Sequence, residues 1–270
     1  MSVLSSEDRS RKDLGQIMEV LLARICARFI KAGDWVIDAG ACGGLHTRPM
    51  SRLVGATGKV YAYEPNFTGR LAEQMRGQGL GENVNFRSVG LGNTTGRTAF
   101  YRHVKKSALS SLIRPKDLSD YVEEHIEIVR LDDEHIDGPL SFIKLDVEGG
   151  EFNCLRGADA LLSKHAPLMI FENGRAWPAA QFGYTKEEFF EFFSRHRYHL
   201  TDIFGCPLNA SSWRDPSLVW YFVATTEPSE IREIEMLGSQ LLEELKAKGK
   251  TFGEWQEVAQ SVTQFGKLAS

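Results

Sequence analysis

The chain alternates between two hydrophobic periods. From about residue 10 to residue 31 the apolar side chains recur at helical spacing, at Leu14, Ile17, Met18, Leu21, Leu22, Ile25 and Phe29. This spacing predicts a leading amphipathic helix that packs on a sheet. Short apolar runs follow near residues 35–39, 60–63, 84–89, 142–147 and 168–171, and each is long enough for one buried strand. Helices and strands in alternation predict an α/β fold with a mostly parallel sheet.

Further segments extend this sheet to seven strands and add helices around it. Additional helices are predicted over residues 45–54, 65–78 and 185–196, with a turn at residues 90–96. Additional strands are predicted near residues 98–103, 126–131, 198–204 and 218–224, the first of them paired outside the main parallel set. After residue 229 an apolar stripe predicts one more helix, and a second helix follows Gly249. The chain therefore divides into a helical segment (1–32), an α/β domain (33–226) and a helical extension (227–270).

Composition limits the class of protein. With 270 residues, 42% of them hydrophobic and 25% charged, the chain can bury a large core. The net charge of -4 argues against a nucleic-acid-binding protein. No apolar run reaches the length of a membrane-spanning helix, and charges interrupt the N-terminal segment where a signal peptide is apolar, so a cytoplasmic location is expected. The four cysteines lie far apart, which is typical of buried thiols rather than of a disulfide framework or a zinc site.

Two neighbouring strands end in residues that suit a ribose-binding site. The first strand runs into Gly40, Gly43 and Gly44, and the second ends at Glu64. Gly40 would allow a tight turn, and the other two glycines would leave space for a ligand where the next helix begins. A carboxylate at Glu64 could accept hydrogen bonds from both hydroxyls of a ribose. The pattern predicts a nucleoside between Gly40 and Glu64, whereas the alternative is a turn whose glycines have only a structural role.

Asp38 indicates which cofactor this turn would hold. A nicotinamide site has the pattern Gly-x-Gly-x-x-Gly, which opens directly on a helix that receives a pyrophosphate. Here Asp38 precedes Gly40 by two positions, and Ala41 and Cys42 follow. A carboxylate would repel a pyrophosphate but attract the sulfonium and amino groups of S-adenosylmethionine. The sequence therefore favours S-adenosylmethionine, with an NAD(P)-dependent oxidoreductase as the alternative.

A strand that is otherwise apolar carries charges in the run Phe142-Ile143-Lys144-Leu145-Asp146-Val147-Glu148-Gly149-Gly150-Glu151. Because side chains alternate between the two faces of a strand, Lys144, Asp146 and Glu148 share one face near its carboxyl end. Ligands of open α/β sheets bind beyond the carboxyl ends of the strands, so we expect these residues beside the reactive end of the cofactor. Alternatively, Lys144 forms a structural ion pair, and Glu148 and Glu151 stabilise the start of the next helix.

Four motifs and one strand end follow each other in order along residues 35–173. They are Asp-x-Gly-Ala-x-x-Gly, Tyr-x-Glu-Pro-Asn, Leu-Asp-Asp, Lys-Leu-Asp-Val-Glu-Gly-Gly-Glu, and a strand that ends at Phe171-Glu172. In this order they resemble the FkbM family of methyltransferases, and the fourth motif is the specific one. The resemblance implies a Rossmann-like class I methyltransferase fold and the use of S-adenosylmethionine, mostly to methylate hydroxyl groups of glycans, polyketides and related natural products.

The resemblance also suggests which residues would contact the cofactor: Asp38, Gly40, Ala41, Gly44, Glu64 and Asn66. One departure is Cys42, because the family usually has Asn at this position, so no side-chain contact is carried over to it. The resemblance does not extend to the residues before 33 or after about 175, so it supports no prediction for them.

The implied reaction needs a group that takes the hydroxyl proton. Methyl transfer from a sulfonium is an in-line displacement, so holding the acceptor oxygen behind the methyl carbon supplies much of the rate. Asp146 or Glu148 could accept the proton, and Lys144 could orient or stabilise the alkoxide. A divalent cation could instead acidify the hydroxyl. Asp146, Glu172 and Asn173 end neighbouring strands and form an oxygen-only set suited to Mg²⁺, which resembles the acidic trio of metal-dependent catechol-type O-methyltransferases.

The sequence thus predicts a cytoplasmic S-adenosylmethionine-dependent O-methyltransferase that acts on a hydroxyl of a sugar, glycan or natural product, with Mg²⁺ as a candidate metal. A non-catalytic binding module on the same fold is a further alternative. The aromatic residues of segment 177–184 could form a lid over the acceptor or pack in the core. With no sheet left to cover, the extension is expected to form a homodimer contact or to fold back over the acceptor pocket.

Overall fold

The computed structural model describes residues 6–66, 73, 76–77, 80–173, 175–214 and 219–247. Its helices are α1 (Ser6–Phe29), α2 (Thr47–Val54), α3 (Glu151–Arg156), α4 (Asp159–His165), α5 (Ala176–Phe182), α6 (Lys186–Arg195) and α7 (Pro228–Ala247). Its strands are β1 (Trp35–Ala39), β2 (Lys59–Tyr63), β3 (Val84–Arg87), β4 (Gly90–Leu91), β5 (Gly96–His103), β6 (Tyr121–Val129), β7 (Leu140–Leu145), β8 (Leu168–Glu172), β9 (His199–Asp202) and β10 (Tyr221–Thr225). Short 3₁₀ turns lie at Ser107–Leu109, Leu131–Asp133 and Ala210–Arg214.

The main sheet has seven strands in the order β3-β2-β1-β7-β8-β10-β9. All neighbours are parallel except β10, which runs antiparallel to both β8 and β9. The predicted seven-stranded, mostly parallel sheet is therefore confirmed. The chain builds outward from β1 through β2 and β3, and then crosses to β7 on the other side. This reversal places a crevice beyond the carboxyl ends of β1 and β7, where ligands of such sheets bind.

Apolar side chains cover both faces of the sheet. On one face the predicted leading helix α1 buries Met18, Leu22 and Ile25, which belong to the same cluster as Val36 and Phe142 of the strands. Each of these five side chains is almost completely removed from solvent, which favours folding by about 1.5–3 kcal/mol for a fully buried side chain of this kind.

The second face is packed largely by aromatic rings. Phe152 of α3 and Phe189 and Phe193 of α6 are buried against Phe171 of β8. The rings of Phe171 and Phe193 stack with their centroids 5.5 Å apart, and a capping box at Thr185 begins α6. Because one apolar layer covers each face, the central strands are buried on both sides, as expected for an α/β sheet.

The helical extension packs on α1 and also contacts β10 of the main sheet. Ile234, Leu241 and Leu245 of α7 are buried in the same cluster as the apolar side of α1. Two salt bridges join the helices, Arg24 to Glu244 at 2.6 Å and Arg28 to Glu233 at 2.5 Å. The apolar stripe of α7 is thus used within the chain. The predicted homodimer stays a prediction, and the predicted helix after Gly249 lies outside the described residues.

The smaller sheet differs in detail from the sequence prediction. It has the order β4-β6-β5, with β5 antiparallel to β6, so the predicted pairing of residues 98–103 outside the main set is correct. However, β6 begins at Tyr121, well before the predicted residue 126, because its first half is exposed on both faces and therefore lacks an apolar pattern. Part of the predicted turn at residues 90–96 forms β4, and the predicted helix after Glu64 falls largely outside the described residues. Among the described helices, none combines the length and the apolar character that a membrane crossing requires.

Gly40 is required where β1 approaches β7. It adopts a φ of +76°, and a Cβ added to it would lie 1.7 Å from the carbonyl oxygen of Asp146. We therefore expect Gly40→Ala to lower the free energy of unfolding by about 3 kcal/mol or more, through backbone strain and displacement of β7. Urea denaturation monitored by circular dichroism measures this change.

Gly43→Ala is the matched control. A Cβ at Gly43 meets no atom within 4 Å, so this substitution is expected to change stability by only about 0.5 kcal/mol. Equal effects of the two substitutions would contradict the close approach of the two strands.

Candidate active site

A cleft opens at the crevice between β1 and β7. It encloses about 700 Å³, including space open to solvent. Gly40, Glu64, Asp146 and Glu148 line its polar side, so four of the predicted site residues meet there. Its apolar walls include Tyr63, Val89, Leu91, Phe100, Leu112 and Ile126. An apolar slot beside a few convergent polar groups is the usual form of a small-ligand site.

Glu64 is held in place by the glycine turn. Its two carboxylate oxygens accept hydrogen bonds from the backbone amides of Cys42 at 3.0 Å and Asn66 at 2.9 Å. Burial nevertheless raises the pKa of Glu64 above its ordinary value, because desolvation outweighs these bonds. Each oxygen keeps a lone pair that could accept a hydroxyl of a ligand. Asn66 thus contributes its backbone amide, which donates a hydrogen bond to Glu64.

The turn itself is shaped by its backbone. Gly44 has a φ of +77°, and its amide donates a hydrogen bond of 2.7 Å to the carbonyl of Ala41, which is buried. Cys42 also lies in the left-handed region, with a φ of 43°. Asn enters this region more readily than other non-glycine residues. The left-handed backbone at Cys42 therefore suits the Asn that the resemblance leads us to expect at this position better than it suits Cys.

A loop between β5 and β6 covers part of the cleft. The Sγ of Cys42 lies 3.3 Å from the Oγ of Ser107, and Ser107 and Ser110 line the cleft. The Ser111 hydroxyl donates a hydrogen bond of 2.8 Å to the carbonyl of Glu148. This loop thus lines the cleft and also contacts the strand end that carries the acidic residues.

Lys144 lies inside the sheet and neutralises two carboxylates. Asp38 and Lys144 are paired in register on β1 and β7, and the Nζ of Lys144 lies 3.6 Å from Asp38 Oδ1 and 3.4 Å from Asp146 Oδ2. Lys144 is 2% exposed and Asp38 0%, so neither reaches the cleft. Burial alone would lower the pKa of Lys144, but the two carboxylates raise it above its ordinary value. Lys144 therefore remains a cation and cannot accept a proton.

Asp38 has a second partner on α2. The hydroxyl of Thr47 donates a hydrogen bond of 2.6 Å to Asp38 Oδ2. Both side chains are buried, so Asp38 ties the end of β1 to the start of α2 and to Lys144. The structure therefore brings Asp38 near the cleft but orients it into the sheet.

Asp146 faces both the cleft and a cluster of polar side chains. The Tyr221 hydroxyl donates a hydrogen bond of 2.8 Å to Asp146 Oδ2. Burial raises the pKa of Asp146, but the Lys144 ammonium and hydrogen bonds from Glu172 and Tyr221 outweigh it and hold that pKa below its ordinary value. For Glu172, burial and the Asp146 charge raise the pKa. The two carboxyl groups thus share one proton, with the negative charge on Asp146.

The pKa of Glu148 is raised, whereas that of Asp146 is lowered. Burial, then the charges of Asp146 and Glu151, raise its pKa to about 8, against the opposing effect of Lys144. Its backbone has a φ of +58°. Glu151 holds this turn, because its Oε1 accepts hydrogen bonds from the amides of Val147 at 2.9 Å and Gly149 at 3.0 Å. Glu151 is therefore a buried support of the loop that presents Glu148.

The predicted magnesium site finds no support in the structure. The side-chain oxygen of Asn173 accepts a hydrogen bond of 2.5 Å from the backbone amide of Arg175, and Glu172 shares a proton with Asp146. In the part of the chain that the structure describes, no three His, Cys, Asp or Glu side chains are arranged to hold a metal ion. The strand ends converge as predicted, but their oxygens are bound to one another and to the backbone, so we assign the metal no role.

Sequence reasoning missed two residues of this cluster, Glu19 on α1 and Tyr221 on β10. The Tyr221 hydroxyl also lies 3.1 Å from Glu19 Oε1, and His46 Nε2 lies 3.1 Å from Glu19 Oε2. Tyr221 could have been noticed, because a hydroxyl on a strand that is otherwise apolar needs a partner. Nothing in the spacing of α1 distinguishes Glu19 from a solvent-exposed residue. His46, which follows the glycine turn, pairs with Glu19.

The sequence of residues 38–200 matches the model of the family described as the methyltransferase FkbM domain. The chain belongs to the FkbM methyltransferase family. This membership confirms the resemblance drawn from the motifs. With the order of the main sheet, it also confirms the Rossmann-like methyltransferase fold. No curated protein matches the chain in sequence.

Several solved structures are similar to this FkbM-family chain. An FkbM methyltransferase from Methylobacillus flagellatus KT is 17% identical, with a TM-score of 0.44 over 71% of this chain and 43% of that one, so the chain spans less than half of its length. A putative rRNA methylase from Clostridium thermocellum is 14% identical, with a TM-score of 0.43 over 83% and 96% of the two chains. An S-adenosylmethionine-dependent O-methyltransferase from Thermotoga maritima is 14% identical, with a TM-score of 0.41 over 83% and 66%.

Lys144→Met tests the buried ion triad. The substitution leaves Asp38 and Asp146 without their buried cation, so we expect the free energy of unfolding to fall by about 3–5 kcal/mol. Chemical denaturation at neutral pH measures this loss.

Lys105→Met provides the control, because Lys105 pairs with Asp120 on the surface at 2.9 Å. Because both groups of that pair are exposed to solvent, its loss is expected to change stability little. A Lys144→Met protein as stable as the control would show that the triad does not hold β1 and β7 together.

Proposed function

We propose that this FkbM-family protein transfers a methyl group from S-adenosylmethionine to a hydroxyl group of a glycan or natural product. The observation that carries this proposal is the presence of two carboxylates with opposite acid–base character in one cleft. Asp146 stays ionised, whereas Glu148 has its pKa raised to about 8. Groups whose environments separate their pKa values in this way commonly have separate catalytic roles.

The cleft fits the cofactor at its nucleoside end. Glu64 has free lone pairs for the ribose hydroxyls, and the apolar walls around Phe100 and Ile126 suit a planar base. Gly40 has no side chain that would obstruct the cofactor where it would cross the edge of the sheet. Asp146 would attract the positively charged end, since it stays ionised beside the cleft. When bound, S-adenosylmethionine would supply an electrophilic methyl group on its sulfonium.

Glu148 suits the role of general base. It lines the cleft near Asp146, and its raised pKa places its ionisation near physiological pH, where proton transfer from an alcohol is most effective. Lys144 is too deeply buried to contact the acceptor, so we assign it to fixing the charge of Asp146. The carboxylate of Glu148 would take the hydroxyl proton as the acceptor oxygen attacks the methyl carbon.

An exposed aromatic ring beside this base supports a ring-shaped acceptor. Trp177 is 58% exposed, and a Cβ on Gly149 would lie 3.6 Å from its indole. Aromatic faces stack on the apolar faces of sugar and natural-product rings. Tyr184 is buried and Phe182 packs partly against the core, so Trp177 is the exposed ring of the predicted aromatic segment. The net charge of -4 supports a small acceptor over a nucleic acid.

Calorimetry with S-adenosylhomocysteine and with NADH tests the cofactor. We expect the purified protein to bind S-adenosylhomocysteine and to give no signal with NADH, because Asp146 disfavours a pyrophosphate. A screen of sugars and natural products for the mass of one added methyl group would then identify the acceptor. Binding of NADH alone would replace the proposal with the oxidoreductase alternative.

Glu148→Gln separates catalysis from folding. We expect the wild-type kcat/KM to rise with pH through about 8 as Glu148 ionises, and the variant to lose about 10²–10⁴-fold of the activity together with this pH dependence. The folded pKa lies above the ordinary value of 4.5, so the wild-type protein loses stability as pH rises from about 4.5 to 8. The variant should lack this contribution, which thermal unfolding at several pH values measures.

Glu123→Gln is the control for both measurements, because Glu123 is exposed on β6. It is expected to leave activity and the pH dependence of stability unchanged. Full activity of Glu148→Gln would exclude Glu148 as the base.

A further inference from the structure

Three side chains extend the acidic cluster beyond the family domain. The Tyr221 hydroxyl lies 2.8 Å from Asp146 Oδ2 and 3.1 Å from Glu19 Oε1, and Glu19 Oε2 lies 3.1 Å from the ring of His46. Glu19 and Tyr221 both fall outside residues 38–200, which carry the family match. The first helix and the β10 strand therefore supply a layer of side chains behind Asp146, which itself lines the cleft.

Helix α1 holds Glu19 firmly in this position. The neighbouring side chains Met18 and Leu22 are buried in the core, and Glu19 itself is 36% exposed at the edge of the helix. The salt bridges of Arg24 and Arg28 attach the far end of α1 to α7. Because the helix is fixed along its length, the distance from Glu19 to Asp146 is set by the fold rather than by the side chain alone.

The cluster carries more negative than positive charge. Its carboxyl groups belong to Glu19, Asp38, Asp146 and Glu172, and the last of these shares its proton with Asp146. Its cationic side chains are Lys144 and, when protonated, His46, which pairs with Glu19. Lys144 contacts Asp38 and Asp146 but not Glu19. Tyr221 has a single hydroxyl proton, so at any moment it can satisfy Asp146 or Glu19 but not both. The side of the cluster that faces Asp146 and Glu19 is thus suited to a cation.

We propose that Glu19, held next to Asp146 by Tyr221, makes the site selective for the charged methyl donor over its neutral demethylated product. This inference rests on the proposed function, because S-adenosylmethionine carries a sulfonium charge that S-adenosylhomocysteine lacks. The carboxylate of Glu19 strengthens the attraction for the donor and adds nothing for the product thioether. Selectivity of this kind would favour exchange of product for fresh donor after each methyl transfer.

Calorimetry with both ligands tests the proposal on the full chain. Glu19→Gln keeps the shape of the side chain and removes its charge, so we expect it to weaken S-adenosylmethionine binding by about 3- to 10-fold and to leave S-adenosylhomocysteine binding within about 2-fold. Glu19→Asp keeps the charge and is expected to retain the wild-type ratio of the two affinities. Tyr221→Phe, which removes the hydroxyl that joins the two carboxylates, is expected to lower the ratio in the same direction.

Glu244→Gln is the matched control, since it breaks the surface salt bridge to Arg24 that attaches α1 to α7 and leaves the cluster intact. It should not change the ratio of affinities. Equal weakening of both ligands by Glu19→Gln, or a Glu19→Asp protein as poorly selective as Glu19→Gln, would show a purely structural role and overturn the proposal. If Glu19→Gln does not fold, an unchanged ratio in Tyr221→Phe overturns it equally. A wild-type protein that binds neither ligand would instead overturn the proposed function.

Discussion

The ammonium of Lys144, buried between Asp38 and Asp146, is the interaction on which the rest of the site depends. Two adjacent parallel strands each contribute a carboxylate at the point where the sheet reverses its order, and neither carboxylate could remain charged there without a cation. Lys144 satisfies both and joins β1 to β7 from within. As a result the two strand ends approach so closely that only glycine fits at position 40. The crevice that receives the cofactor is thus a consequence of this charge pairing.

The same pairing divides the acidic residues into distinct roles. Asp146, next to Lys144 and hydrogen-bonded by Tyr221, keeps its negative charge and is suited to a cationic ligand. Glu148, two residues later, lines the same cleft, but burial and the charges of Asp146 and Glu151 raise its pKa. One short motif therefore provides a permanent anion and a titratable base. Glu151 makes this division possible, because its carboxylate holds the backbone turn between them.

Much of this arrangement follows from sequence pattern. The strands, the glycine turn and Glu64 could be predicted because each depends on local spacing and on the rule that ligands bind at the carboxyl ends of parallel strands. The orientation of Asp38 could not, since its burial depends on the register between β1 and β7. Glu19 was missed because its partners lie far away in sequence. The oxygens of Glu172 and Asn173 looked suited to a metal from the sequence. The hydrogen bonds that engage these oxygens depend on the folded structure, and spacing along the chain does not reveal them.

A crystal structure of the protein with S-adenosylhomocysteine would test the central claim most directly. The account predicts that the ribose contacts Glu64 and that the adenine lies between Phe100 and Ile126. The sulfur should lie beside Asp146, close to a water or acceptor that is hydrogen-bonded to Glu148. Lys144 should remain buried between its two carboxylates. A ligand bound elsewhere, or a sulfur directed away from Asp146 and Glu148, would contradict it.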